Sequence, residues 1–177
     1  MLYMFLADGF EETEAIGALD VIKRADIDIK TVGIGKKDIM GAHGITVVCD
    51  LSENDELEIP DGIILPGGMP GTLNLKASET VCNMANSCFE SKKLVAAICA
   101  APMIFGEMGF LENKKATCFP GFEQYLKGAE YTGGLVERAE NVITAKGAGA
   151  AMLFGAEIVD YFEPKKGEKI LEEIFHK

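Results

Sequence analysis

The stretch Lys93-Leu94-Val95-Ala96-Ala97-Ile98-Cys99-Ala100-Ala101-Pro102-Met103 decides the fold of this chain. Its first six residues are typical of a short buried strand, and the pattern from Ala101 onward favours a helix. A cysteine between the two has the position of a nucleophile elbow. Because N–H groups at a helix start favour negative charge, we expect them to stabilise a Cys99 thiolate. The competing interpretation is a cysteine that only fills the core.

Strands and helices alternate outward from this turn. Strands are predicted over residues 1–7, 28–34, 45–49 (within a hairpin), 61–65, 93–98 and 116–118, with a second hairpin over 134–145. Helices are predicted over residues 11–25, 78–91, 148–161 and 165–175, and the first should face inward through Ile16, Leu19 and Ile22. Such alternation predicts an α/β fold with a mostly parallel sheet and helices on both faces. No linker or repeat divides residues 1–177, which predicts a single domain.

Composition excludes several classes of function. Of the 177 residues, 48% are hydrophobic and 25% are charged, as in ordinary globular proteins. The net charge of −11 argues against nucleic acid and anionic membranes as partners. No run approaches the ~18 apolar residues that span a membrane. The apolar residues 2–7 lack a basic segment and are followed at once by acidic side chains, so we expect a first strand rather than a signal peptide.

The cysteines and histidines indicate no metal site. There are five cysteines, Cys49, Cys82, Cys88, Cys99 and Cys118, and they show no CxxC spacing. An odd number without such spacing fits neither a disulfide framework nor a zinc site. With two histidines, His43 and His176, a metal centre is not expected either. A reducing cytoplasm is the simplest compartment.

Three segments that follow predicted strands are expected to meet. They are Asp8–Glu14, Pro66–Thr72 and Cys99–Pro102. Ligands of open α/β sheets bind beyond the carboxyl ends of the strands, so these segments would form one pocket if their strands are central.

Glu14 has two interpretations. The spacing of Glu11, Glu12 and Glu14 favours a solvated face at the start of the first helix. A Glu14 carboxyl turned toward the pocket would instead be desolvated and protonated, able to donate to a thiolate or to move protons.

The glycine loops and the other cysteines also have open alternatives. Gly67-Gly68 forms either a simple turn or a loop whose N–H groups serve as half of an oxyanion hole. Gly147-Ala148-Gly149 has the same two interpretations. It does not fit a phosphate-binding loop, because the lysine and serine of such a loop are missing. Cys49 is expected to pack, and Cys118 is a distant candidate for a resolving thiol.

Four motifs, in their order along the chain, resemble the ThiJ/PfpI superfamily. They are Leu6-Ala7-Asp8-Gly9-Phe10-Glu11-Glu12-Thr13-Glu14, Leu65-Pro66-Gly67-Gly68, Ala96-Ala97-Ile98-Cys99-Ala100-Ala101-Pro102 and Lys146-Gly147-Ala148-Gly149. The chain is most similar to the subgroup of the parkinsonism-associated protein deglycase and its bacterial relatives. The resemblance spans residues 1–177 and implies one class I glutamine amidotransferase-like domain, a flavodoxin-like three-layer sandwich, a homodimer and no cofactor.

The resemblance also implies roles for individual residues. Cys99 matches the reactive cysteine, and Glu14 matches a buried, protonated glutamate that donates to its sulfur, which reverses the interpretation from spacing. Gly68 and Ala100 match residues whose N–H groups flank the sulfur. Arg24 and Cys49 match residues near the dimer interface.

Two departures from the family pattern limit the function. The protease-like branch has a histidine directly after the cysteine, where this chain has Ala100, so a Cys-His peptidase or an amidotransferase is not expected. The deglycase subgroup often has a pocket histidine before a proline, where this chain has Phe119-Pro120. Neither His43 nor His176 is expected to reach Cys99.

Two functions follow from these residues. One is a glutathione-independent glyoxalase or deglycase acting on methylglyoxal-type reactive carbonyls, with Cys99 as nucleophile, Glu14 as proton carrier and the N–H groups of Gly68 and Ala100 as the oxyanion hole. The other is a non-enzymatic oxidative-stress sensor or redox-regulated chaperone that works through oxidation of Cys99.

Overall fold

The computed structural model describes residues 1–176. Its strands are β1 (Leu2–Leu6), β2 (Ile29–Gly33), β3 (Asp38–Met40), β4 (Thr46–Val48), β5 (Leu51–Ser52), β6 (Gly62–Leu65), β7 (Leu94–Ile98), β8 (Lys115–Ala116), β9 (Glu130–Tyr131), β10 (Val136–Ala139) and β11 (Val142–Ala145). Its α-helices are α1 (Glu12–Arg24), α2 (Gly71–Ala77), α3 (Glu79–Glu90), α4 (Pro102–Glu107), α5 (Ala151–Phe162) and α6 (Lys166–Glu173).

Seven of the strands form one central sheet in the order β10-β11-β7-β6-β1-β2-β5. All neighbours in this sheet run parallel except β10 and β11, which form an antiparallel hairpin. The predicted hairpin before Cys49 is also present, as the separate antiparallel pair β3–β4. The predicted strand near residues 116–118 is shorter than expected, and it pairs with β9 outside the central sheet.

Helices cover both faces of the sheet. On one face α1, α5 and α6 bury residues such as Val21, Phe154 and Ile170. On the other, α2, α3 and α4 bury residues such as Leu75, Val81 and Phe105. Strands covered on both faces need apolar side chains in both directions, which explains the unbroken apolar runs of β1, β6 and β7. The result is the three-layer α/β sandwich that the sequence predicts.

The three predicted pocket segments leave adjacent strands. Because β7, β6 and β1 are consecutive and parallel, their carboxyl ends lie at the same edge of the sheet. Asp8, Pro66 and Cys99 each lie at that edge, one or two residues beyond their strand. The prediction that these segments converge is therefore confirmed.

The inner face of α1 differs from the prediction. Ile22 is buried and Leu19 is partly buried, but Ile16 is exposed. Small residues form the contact with α5 instead, where a methyl group at Gly155 would lie 2.9 Å from the carbonyl oxygen of Ala18. Close approach of the two helices thus selects small side chains, and the larger Ile16 lies outside the contact.

Helix α2 is not predicted by the sequence. It begins after Pro70 with Gly71 and Thr72, which are weak helix formers, so its propensity is low. Packing of Leu75 into the core accounts for the helix. Within residues 1–176, none of the helices combines the length and the apolar run required to cross a membrane.

Candidate active site

Cys99 lies at a strained strand-to-helix turn. It follows β7 directly and has a φ of 67°, in the left-handed region that side chains other than glycine rarely adopt. Two hydrogen bonds hold the turn: the Cys99 N–H donates to the Ala145 carbonyl, and the Cys99 carbonyl accepts from the Phe119 N–H, both at 2.8 Å. Helix α4 begins at Pro102, where a missing N–H costs nothing. The turn leaves the thiol partly exposed at the sheet edge.

Glu14 is buried against this thiol. Only 1% of its surface is exposed, so the solvated helix face that the spacing favours is not observed. Its Oε2 atom accepts a 2.9 Å hydrogen bond from the backbone N–H of Gly67. The Glu11 side chain caps α1 by accepting from the Glu14 N–H at 2.7 Å. At the start of α1, the Glu11 carboxyl group therefore caps the helix and the Glu14 carboxyl group enters the pocket.

The Gly67-Gly68 loop fits between these two side chains because it carries no Cβ atoms. A methyl group on Gly67 would lie 2.6 Å from Cβ of Cys99 and 2.7 Å from Oε2 of Glu14. Gly68 has a φ of 89°, which suits glycine. The N–H groups of Gly68 and Ala100 both hydrogen-bond to the Cys99 sulfur and lower its pKa. The sulfur therefore lies between two backbone donors.

The two titrating groups depend on each other. Burial raises the pKa of Glu14 to about 7, partly offset by hydrogen bonds from Cys99 and from the Gly67 N–H. Burial and the nearby Glu14 charge raise the pKa of Cys99 to about 12, although hydrogen bonds from the two backbone N–H groups lower it. An ionised Glu14 thus opposes the thiolate that the helix start was expected to stabilise. When Glu14 keeps its proton, that charge is gone and the carboxyl becomes a donor to the sulfur.

Phe119 and Pro120 lie in the wall of a cleft beside this pair. The cleft has a volume of about 450 Å³ and is also lined by Leu135, Lys146 and Gly147. Gly147 lies between the cleft and the carboxyl group, since a methyl group there would be 3.2 Å from the Phe119 ring and 4.0 Å from Oε1 of Glu14. The sequence left the Gly147–Gly149 turn open between a simple turn and a loop whose N–H groups meet a ligand, and the structure places this turn in the wall of the cleft.

Glu12 is a functional-site neighbour whose position the sequence analysis missed. Instead of being solvated, it is 7% exposed and accepts hydrogen bonds from the His43 N–H at 2.7 Å and from His43 Nδ1 at 2.8 Å. Burial raises the pKa of Glu12, but these bonds outweigh it and leave the pKa lowered. Glu11, Glu12 and His43 have possible metal-ligand atoms within 4.8 Å of one another, although the oxygens of both carboxylates already accept hydrogen bonds. His43 is therefore held by Glu12.

The remaining predicted residues lie away from the thiol. Arg24 is at the opposite end of α1 from Glu14, where it forms a 2.7 Å ion pair with Asp20. Cys49 is buried directly after β4, and burial raises its pKa to about 11. Cys118 is fully buried, while Cys82 is partly exposed on α3.

Comparisons with known proteins agree with this architecture. The model of the DJ-1/PfpI family matches residues 1–161. Protein DJ-1 homolog B of Arabidopsis thaliana is 35% identical over 160 residues, covering 89% of this chain and 36% of the relative. The glutathione-independent glyoxalase DJR-1.2 of Caenorhabditis elegans is 29% identical over 165 residues, covering 92% of this chain and 88% of the relative.

A solved structure extends the similarity to the whole fold. A cysteine-to-alanine mutant of a DJ-1 superfamily protein from Salmonella typhimurium superposes with a TM-score of 0.93 at 26% identity, covering 99% of this chain and 98% of the other. The chain spans well under half the length of two plant relatives, 36% and 41%. The match over residues 1–161 and the shared fold show that this chain belongs to the DJ-1/PfpI family.

Proposed function

We propose that this protein is a glutathione-independent glyoxalase that converts small 2-oxoaldehydes of the methylglyoxal type into 2-hydroxy acids. The observation that carries the proposal is the buried Glu14 carboxyl in contact with the Cys99 thiol, with a pKa of about 7. A group with a pKa near the working pH is suited to moving protons in both directions. The relative from Caenorhabditis elegans that is named a glyoxalase adds support.

The first step is addition of Cys99 sulfur to the aldehyde carbon. A sulfur–carbon bond forms, the carbonyl oxygen takes up a proton, and a hemithioacetal results. The N–H groups of Gly68 and Ala100, which bind the sulfur in the free protein, are the donors available to stabilise negative charge at this oxygen.

Glu14 then moves a proton from the former aldehyde carbon to the neighbouring ketone carbon, and the hydroxyl proton on the first carbon passes to the ketone oxygen. The first carbon is oxidised and the second is reduced, which leaves the thioester of a 2-hydroxy acid. Water breaks the carbon–sulfur bond, releases the acid and returns the thiol. The sequence balances without an external oxidant or reductant. A deglycase would begin with the same attack on a glyoxal-derived adduct.

Lactate formation from methylglyoxal tests this proposal. Wild type should produce lactate, and Cys99→Ser and Glu14→Gln should each lower the rate by about 100-fold or more, the usual contribution of acid–base groups. Buffer controls and chiral analysis of the lactate separate turnover from scavenging of the aldehyde. Lactate production that persists in both variants would falsify the proposal.

A non-enzymatic role as a redox sensor, or as a chaperone regulated by oxidation, is the second candidate. The exposure of the cysteines favours this role, because Cys99 is partly exposed whereas three others are buried, namely Cys49, Cys88 and Cys118. Two equivalents of peroxide would oxidise Cys99 to the sulfinate with release of two waters, and protonated Glu14 would donate to the product. Either role needs a reduced thiol at rest, which fits a reducing cytoplasm.

Mass spectrometry after mild peroxide treatment tests the sensor. Cys82 is the matched control because it is also partly exposed but lies on α3 without a carboxyl partner. Sulfinate confined to Cys99 would support the sensor, and equal oxidation of both cysteines would contradict it.

We also propose that the protein forms a homodimer through the outer face of the β3–β4 hairpin. Met40 and Val48 lie on this face, with Ile45 just before β4, and all three are exposed. Grouped exposed apolar side chains mark interaction surfaces. Cys49 follows this hairpin, and Arg24 would join the same interface as the family resemblance implies.

Sedimentation of Val48→Asp tests the homodimer. Wild type should sediment as a dimer and this variant as a monomer, while Ile59→Asp, at another exposed apolar position, should remain dimeric. A monomeric wild type would exclude the dimer.

A further inference from the structure

The cleft beside the thiol provides an apolar surface that the reaction at Cys99 and Glu14 does not use. Phe119 and Leu135 line it with 48% and 55% of their surfaces exposed, and Pro120 and Ala148 add further apolar area. Among the described residues that line this cleft, none is acidic. The ammonium of Lys146 is turned to the Gly133 carbonyl, to which it donates at 3.1 Å.

The wall of the cleft lies close to the reacting groups. The Phe119 backbone is fixed to the Cys99 carbonyl by its 2.8 Å hydrogen bond. On the side of Glu14, a methyl group at Gly147 would lie 3.2 Å from the Phe119 ring and 4.0 Å from Oε1 of the carboxyl. Glu14 and the Phe119 ring therefore both lie close to Gly147.

The proposed reaction indicates which part of the substrate would reach this cleft. In a 2-oxoaldehyde the aldehyde carbon bonds to the Cys99 sulfur, and the ketone carbon receives its proton from Glu14. The substituent on the ketone carbon can then extend toward Gly147 and Phe119, which lie beside Oε1 of Glu14. Methylglyoxal has only a methyl group there and would leave the cleft empty.

We propose that this cleft is a specificity subsite that selects 2-oxoaldehydes with an apolar, especially aromatic, substituent on the ketone carbon, with Phe119 as its main contact. The inference rests on the proposed glyoxalase function. Burial of an apolar group in such a site commonly changes specificity by about 10- to 200-fold for each carbon accommodated. Aromatic rings also gain from edge or offset contacts with a phenylalanine.

The test compares phenylglyoxal with methylglyoxal, with mandelate and lactate measured by chiral chromatography so that arginine modification is not counted. Wild type should show a kcat/KM at least tenfold higher for phenylglyoxal. Phe119→Ala should lower this ratio at least tenfold, and Phe119→Leu should restore part of it. Ile59→Ala, an exposed apolar residue outside the cleft, should leave the ratio unchanged.

The outcomes separate the two proposals. Absence of both products would overturn the glyoxalase function itself. Lactate formation without a preference for phenylglyoxal, or a preference that Phe119→Ala leaves intact, would overturn the subsite while the glyoxalase function stands.

Discussion

The backbone N–H of Gly67 donates a 2.9 Å hydrogen bond to Oε2 of Glu14, although the two residues lie 53 positions apart. The Glu11 N–H in turn donates to the Gly67 carbonyl at 3.0 Å. These two bonds join the start of α1 to the loop after β6. The carboxyl group of Glu14 is thereby fixed next to Cys99, which follows the neighbouring strand.

Gly67→Ala should abolish activity but leave most of the protein folded. Its methyl group would collide with both Cys99 and Glu14, so the two groups would move apart. We expect at least about a 100-fold loss of kcat/KM, as small displacements of reacting groups can cost that much. Gly17→Ala is the matched control, because its methyl group would meet only side-chain atoms of α5, at 3.3 Å and beyond. Activity retained in Gly67→Ala would show that the close packing of this loop is not needed.

Glu14→Gln and Glu14→Leu should separate thiol reactivity from turnover. Glutamine keeps a donor for the sulfur but carries no proton to transfer, whereas leucine supplies neither. Loss of a hydrogen bond to a charged group costs about 1.5–3 kcal/mol. Iodoacetamide alkylation at about pH 6, where Glu14 keeps its proton, should therefore slow about tenfold or more in Glu14→Leu and stay near wild type in Glu14→Gln. Turnover should be lost in both. Equal alkylation of the two variants would argue against a donor role for Glu14.

The stability of the protein should fall as the pH rises through the titration of Glu14. Its pKa is about 7 in the folded state, against 4.5 without the fold, so the folded state holds a proton that the unfolded state has released. The stabilisation from this proton is complete below pH 4.5 and lost by pH 7. At about 1.4 kcal/mol per pKa unit, it amounts to about 3 kcal/mol in all. Glutamine does not titrate, so Glu14→Gln does not lose stability in this range. Its free energy of unfolding in urea, relative to wild type, should therefore increase between pH 5 and pH 8.

Glu12→Gln provides a control of opposite sign in the same helix. The pKa of Glu12 is lowered in the folded state, so its carboxylate contributes stability above pH 4.5 that is lost as the pH falls. Because Glu12 also raises the pKa of His43, this variant should be least stable relative to wild type between about pH 5 and pH 6, where Glu12 is ionised and His43 is protonated. A stability of Glu12→Gln, relative to wild type, that does not fall between about pH 3 and pH 5 would contradict the assignment of Glu12.

Cys99→Gly should be more stable than Cys99→Ala by about 1 kcal/mol, because a left-handed φ costs a side chain about 1–2 kcal/mol and glycine nothing. Cys88, inside helix α3, should show the reverse order, since glycine is about 1 kcal/mol less favourable than alanine in a helix. Thermal or urea unfolding of the four variants measures both differences. If alanine proved the more stable residue at both positions, Cys99 would not be held in a strained turn.

The sequence was sufficient for features that depend on neighbouring residues. The apolar run before Cys99 and the proline after it define the strand and the start of α4, so the turn that presents the thiol was predictable. The alternation of strands and helices likewise predicted the parallel sheet, because long apolar strands need cover on both faces. The positions of Pro66 and Asp8 followed, since parallel strands end at one edge.

Contacts between distant segments were not predictable from local pattern. Glu12 and Glu14 differ by two positions in one acidic run, yet one holds the loop that contains His43 and the other enters the pocket. The exposure of Ile16 depends on how closely α5 approaches α1, which no periodicity within α1 records.

By itself, the sequence determined the α/β sheet, the edge at which ligands would meet it, and the cysteine at that edge, because the alternation of strands and helices and the geometry of the turn follow from short-range apolar patterns and backbone preferences. Local pattern favoured a solvated Glu14, and its burial was expected only from the family resemblance. The tertiary structure alone decided that the Gly67 N–H binds Glu14 and that Phe119 lies near it, beside Gly147. Desolvation and hydrogen bonding across 53 positions set the pKa of Glu14 near 7. Such effects arise only when distant segments exclude water together.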